Sequence, residues 1–127
     1  MKYMVLIYGN QATWDALSGR MDEVERAHRV LADELTASGE LVGTQALSAV
    51  GAQTVRVQDG VPAVTDGPFT EAKELLAGYY LVDCASRERA VEIAARLPEA
   101  PYSPIEVRRV MADDEIFGPA KGRPDHA

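Results

Sequence analysis

Two amphipathic helical segments, each enclosed by short strand-like runs, leave this chain few folds to choose from. The first unit opens with "YMVLIY", Tyr3–Tyr8, a continuous apolar run stopped by Gly9-Asn10. Its length and aromatic content suit a strand covered on both faces. After a polar loop containing Trp14, the segment Arg20–Gly39 repeats Val24, Ala27, Leu31 and Leu35 at helical spacing. Asp22 and Glu23 lie near its start and Gly39 supplies the stop, so a helix is predicted. "ELVGTQAL", Glu40–Leu47, follows as the second strand.

The second unit repeats the pattern. "AGYYLVDC", Ala77–Cys84, is rich in β-formers; Ser86 caps a helix whose stripe is Ala90, Ile93, Ala94 and Leu97, and Pro98 closes it. "IEVRRV", Ile105–Val110, is the last strand. Between the units, "QTVRVQ" (Gln53–Gln58) and "VPAVT" (Val61–Thr65) flank Asp59-Gly60, the strongest short signal for a hairpin, with Pro62 marking an edge. The turn "DGPF" at 66–69 then leads into "TEAKE" at 70–74, read as one helical turn.

This order predicts an α+β chain: a ferredoxin-like βαββαβ unit with an antiparallel sheet and an inserted β-hairpin. Residues 1–111 form the domain and 112–127, with four acids, two glycines and two prolines after Met111, form a tail. Helices cover such a sheet on one face only. The first and last strands are apolar on both faces, so a homodimer with sheets packed face to face is expected.

Composition narrows the function. A net charge of −7 without a Lys/Arg cluster argues against nucleic acid and anionic membranes. No apolar stretch approaches the roughly 20 residues of a membrane span, and the N-terminal run is too short for a signal peptide, so a soluble cytoplasmic protein is expected. The single cysteine, Cys84, excludes an intrachain disulfide. No Gly-rich phosphate loop, Ser/His/Asp signature or zinc-spaced His/Cys set is present, and no cofactor is expected.

Three stretches carry a family resemblance: "MKYMVLIYG" at the start, "DGPFTEAKELLAGYYLVD" at Asp66–Asp83, and "PIEVRRV" at Pro104–Val110. Over residues 1–111 the chain resembles the DGPF branch of the YCII-related proteins. The resemblance implies a dimeric α/β barrel, and many members are encoded beside extracytoplasmic-function sigma factors. It also implies small-molecule enzymology with a histidine on the first helix paired to an aspartate, and His28 in "ERAHRVLADEL" matches that position. Related proteins can carry an acid just after the first strand. Here Gly9-Asn10 stands there, and the nearest acid is Asp15.

The residues themselves supply the candidates. On a helical wheel His28 falls within about 40° of Val24 and about 20° of Leu35, at the edge of the buried face. Such an imidazole suits proton transfer if a carboxylate orients it, though a core histidine bonded to backbone has the same pattern. Asp66 is the candidate partner, with Glu71 as a second; as the first residue of a turn, Asp66 equally suits a purely structural role. Glu71 and Glu74 would share a face of one helical turn, where paired carboxylates can raise a pKa or hold a divalent cation. Arg56, Lys73 and Tyr79 join them as candidate ligand-binding residues. Two functions follow. One is a small-molecule lyase or isomerase using His28 with a carboxylate. The other is a non-catalytic ligand-binding or regulatory module acting with a sigma factor.

Overall fold

The structure, a computed structural model, describes residues 1–68 and 74–118. Strand β1 spans Lys2–Gly9, followed by helix α1 (Gln11–Leu17) and, after a short 3-10 turn, helix α2 (Met21–Ala37). Strands β2 (Leu41–Ala46), β3 (Gln53–Gln58), β4 (Val61–Asp66) and β5 (Leu75–Asp83) come next. Helix α3 (Arg87–Ala95), strand β6 (Ile105–Arg109) and helix α4 (Asp113–Phe117) complete the order. The main sheet runs β2-β5-β1-β6 with every neighbouring pair antiparallel, and β3-β4 form a separate two-stranded sheet. This is the ferredoxin-like α+β architecture with its inserted hairpin.

Two expectations need correction. The segment holding Trp14 is not a loop but α1. Asn10 Oδ1 accepts from the Thr13 backbone N–H at 3.1 Å while Thr13 Oγ1 accepts from the Asn10 N–H at 3.2 Å. That reciprocal cap satisfies two donors that a helix start would leave open. The segment after Met111 is not all tail either. Residues Asp113–Phe117 form α4, and Arg109 of β6 grips Glu115 through both terminal nitrogens, at 2.7 and 2.5 Å. The helical turn expected at "TEAKE" lies, except for Glu74, outside the described residues.

One face of the main sheet builds the core. Tyr3, Val5 and Ile7 of β1 and Tyr80 and Val82 of β5 pack with Leu31 and Leu35 of α2 and Ile93 and Leu97 from the α3 segment. The alternate residues, Met4 and Leu6 against Leu81 and Tyr79, pair on the other face and take no part in that core. The hairpin turns at Asp59 and Gly60, both with positive φ (52° and 77°), the geometry that Asp-Gly permits. Among the described residues no helix is long and apolar enough to cross a membrane.

A buried-edge ion pair ties α2's exit to α3. Glu40 accepts from Arg89 Nε and Nη2, both at 2.9 Å, and from Ser38 at 2.8 Å. The Arg89 hydrogen bonds hold the Glu40 carboxyl at about 2, below its ordinary 4.5. A carboxyl lowered on folding stabilises the fold above its unfolded value and loses that stabilisation as pH falls from 4.5 toward 2. Arg89→Met is expected to remove about 1 kcal/mol at neutral pH and to flatten the stability loss in that acid window, as read by urea unfolding. An unchanged pH slope in the variant would show that the pair contributes nothing.

Candidate functional site

A cleft of about 570 Å³ opens between the helices α1 and α2 and the ends of β2 and β5. His28 projects into it from α2, one turn before the fully buried Leu31. Both ring nitrogens are engaged. Nδ1 lies 2.7 Å from the Tyr80 hydroxyl and Nε2 lies 2.7 Å from Glu99 Oε2. The imidazole and phenol rings stack with centroids 5.8 Å apart and planes 18° off parallel.

Each partner is held by the fold. Tyr80 sits on β5, on the face that builds the core, because Tyr80 and Val82 alternate with Tyr79, Leu81 and Asp83. Glu99 follows α3 in a chain of tight turns between Pro98 and Pro101. Its own carbonyl accepts from the N–H groups of Tyr102 at 2.8 Å and Ser103 at 3.0 Å. These bonds fix the backbone that carries the Glu99 side chain, and the residue is only 9% exposed.

The proton order follows from the groups. A carboxylate only accepts, so Glu99 takes the Nε2–H hydrogen bond, leaving Nδ1 as an acceptor for the Tyr80 O–H. Burial pushes the Tyr80 phenol up from 10.0, and the Glu99 charge adds to the shift, while the Thr44 hydroxyl acts the other way. Tyr80 thus stays protonated and donates to His28. Glu99–His28–Tyr80 is a directed chain of hydrogen bonds, with the imidazole positioned to take the phenol's proton if that phenol accepts one from a ligand.

The other candidates lie elsewhere. Asp66, expected as the carboxylate partner, ends β4 on the separate hairpin and accepts from Gln53 Nε2 at 3.2 Å. The carboxylate that His28 meets is Glu99. Arg56 is exposed in the middle of β3, opposite Ala63. Tyr79 faces the side of the sheet away from His28, so the tyrosine of the cleft is its neighbour, Tyr80. Glu71 and Lys73 lie outside the described residues. Glu74 stands at the foot of β5, accepting from Asn10 Nδ2 at 3.1 Å. Its other oxygen, like Glu99 Oε1, is buried and has no partner among the described residues. No group of three His, Cys, Asp or Glu able to hold a metal occurs among the described residues.

Sequence reasoning missed Glu99 and Tyr80. Glu99 is 71 positions from His28, and no local spacing links them. Tyr80 was within reach. Asp83 belongs outside, and strand alternation then turns Tyr80 inward and Tyr79 out.

Comparison with known proteins finds a relative and a family model that cover most of the chain. An uncharacterised protein of Rhizobium meliloti (strain 1021) is 39% identical over 108 residues, covering 79% of this chain and 82% of the relative. The YCII-related domain model matches residues 1–113, from β1 to the first residue of α4. With that match spanning the whole sheet and all three residues of the hydrogen-bonded chain, the protein belongs to the YCII-related domain family.

Proposed function

We propose that the protein is a small-molecule enzyme of the lyase or isomerase class, with His28 as its proton-accepting centre and Glu99 as the carboxylate that orients it. The observation that supports this is the His28 ring clamped at 2.7 Å on both nitrogens beside an apolar cleft. A ligand hydrogen passes to the Tyr80 oxygen as the phenol's own proton passes to His28 Nδ1. The imidazolium so formed is stabilised by Glu99, and the reverse transfer returns a proton to the product. A half-satisfied buried carboxylate such as Glu99 adds little to stability, which favours a functional reason for it. A regulatory module acting with a sigma factor would need no buried proton chain.

The test is hydrogen exchange at a carbon acid. Beta-tetralone, a ketone with acidic hydrogens beside its carbonyl, is incubated with the protein in heavy water and followed by NMR. The wild type should speed deuterium uptake, and His28→Ala should fall to the rate without protein. Uptake by the alanine variant at the wild-type rate would remove His28 from the chemistry.

The face of the sheet that carries Met4, Leu6, Tyr79 and Leu81 supports a second proposal, a homodimer joined through that face. Light scattering after size-exclusion chromatography at micromolar concentration should give twice the chain mass, and Leu81→Lys should halve it. A wild-type monomer would exclude the pairing.

A further inference from the structure

Three features of the cleft's walls set what it can hold. The first is the Trp14 indole. A Cβ built on Gly9 would fall 2.4 Å from Trp14 Cη2 and within 2.9 Å of two further ring carbons. The ring therefore lies against bare backbone, in the room a side chain at position 9 would use. It is only half-buried and lines the cleft. The second is a set of small lining residues, Ala46, Ala77 and Gly78, which carry one side-chain carbon or none and so leave room beside them.

The third is charge. Among the described lining residues, Arg29 is paired with Glu25 at 2.6 Å and Glu99 with His28 at 2.7 Å. A ligand carboxylate would meet Glu99 and a net charge of −7, and the Lys or Arg among the described lining residues, Arg29, is already paired with Glu25. A ligand ammonium would find Glu25 paired with Arg29 and one oxygen of Glu99 held by His28, with only the buried Glu99 Oε1 left to accept. Neutral polar groups also line the cleft, Thr44 and Gln45 among them, and the Tyr80 hydroxyl is the one backed by His28.

We propose that the cleft binds a flat, uncharged, conjugated molecule that stacks on Trp14 and sets one hydroxyl, or a carbonyl with acidic hydrogens beside it, against Tyr80. The polar half of this assignment rests on the proton-transfer role of His28 and Tyr80; the stacking half does not. The cleft's 570 Å³ falls inside the usual range for small-molecule sites.

Trp14 is the chain's single tryptophan, so its indole N–H gives one signal in a nitrogen–proton NMR spectrum. The probes are beta-naphthol, naphthalene and beta-naphthoate. Beta-naphthol should move the signal saturably, with beta-naphthoate at least about tenfold weaker. Tyr80→Phe should weaken beta-naphthol about tenfold and leave naphthalene unchanged. Gly9→Ala, which displaces the indole without touching Tyr80 or His28, should weaken beta-naphthol and naphthalene alike, with the fold checked by circular dichroism. Equal binding of naphthol and naphthoate, or naphthol binding that ignores Tyr80→Phe, would overturn the ligand class. So would a Trp14 signal that no probe moves. If that signal stays still while His28-dependent exchange of beta-tetralone persists, the ligand class fails and the proton-transfer role stands. If naphthol binds as expected but exchange is absent, the reverse holds.

Discussion

Tyr80→Phe is expected to slow deuterium uptake by beta-tetralone by about 10²–10⁴-fold while the fold survives. The adjacent Tyr79→Phe should leave the rate within about twofold. Both variants lose one phenolic oxygen, so nothing in composition separates them. What separates them is strand parity. Tyr80 points to the helices and bonds His28 Nδ1 at 2.7 Å, whereas Tyr79 pairs with Leu6 on the opposite face. Removing the Tyr80 oxygen leaves Nδ1 without its donor, a loss of about 1 kcal/mol in stability, too small to explain a large drop in rate. Equal rates in the two variants would show that the phenol plays no part, and His28 would have to meet the ligand directly.

Leu31→Ala should have the largest effect on the fold itself. Leu31 is 1% exposed and sits one helical turn from His28, packed in the cluster that joins α2 to β1, β5 and α3. Truncating it removes the transfer free energy of three carbons and leaves a cavity in a packed interior, about 2–5 kcal/mol together. Against a typical domain stability of roughly 5–15 kcal/mol that is a major fraction. Urea unfolding should show the midpoint falling with its slope unchanged. Val30→Ala, at a position 49% exposed on the same helix, should change stability by less than about 0.5 kcal/mol. A Leu31 variant as stable as wild type would mean that the neighbouring side chains close the gap.

The fold was legible because its signals are local. Asp59-Gly60 specifies the hairpin, Ser86 caps α3, and the spacing of Val24, Leu31 and Leu35 identifies the buried face of α2. Helix α1 escaped notice for an equally local reason. It is seven residues long, and its capping box uses Thr13 where the familiar pattern has a glutamate or glutamine. The site was less legible, since hydrogen bonds formed across the fold leave no spacing to read. The helical wheel placed His28 at the edge of a buried surface, and there it lies. Its carboxylate came from a turn 71 residues on instead of from Asp66 on the hairpin.

The strand order also dictates when the molecule can assemble. Among the described strands β1 comes first in sequence, yet its neighbours in the sheet are β5 and β6. As the chain leaves the ribosome, "YMVLIY" therefore emerges with no edge to join, and β2 cannot serve because it too pairs with β5. Until residues 75–83 appear, the hairpin β3-β4 is the one strand pairing of the described fold that can form. An apolar strand waiting that long is the segment most open to capture by chaperones or by other nascent chains. The proton chain forms later still, because Glu99 must follow β5 and α3 into place.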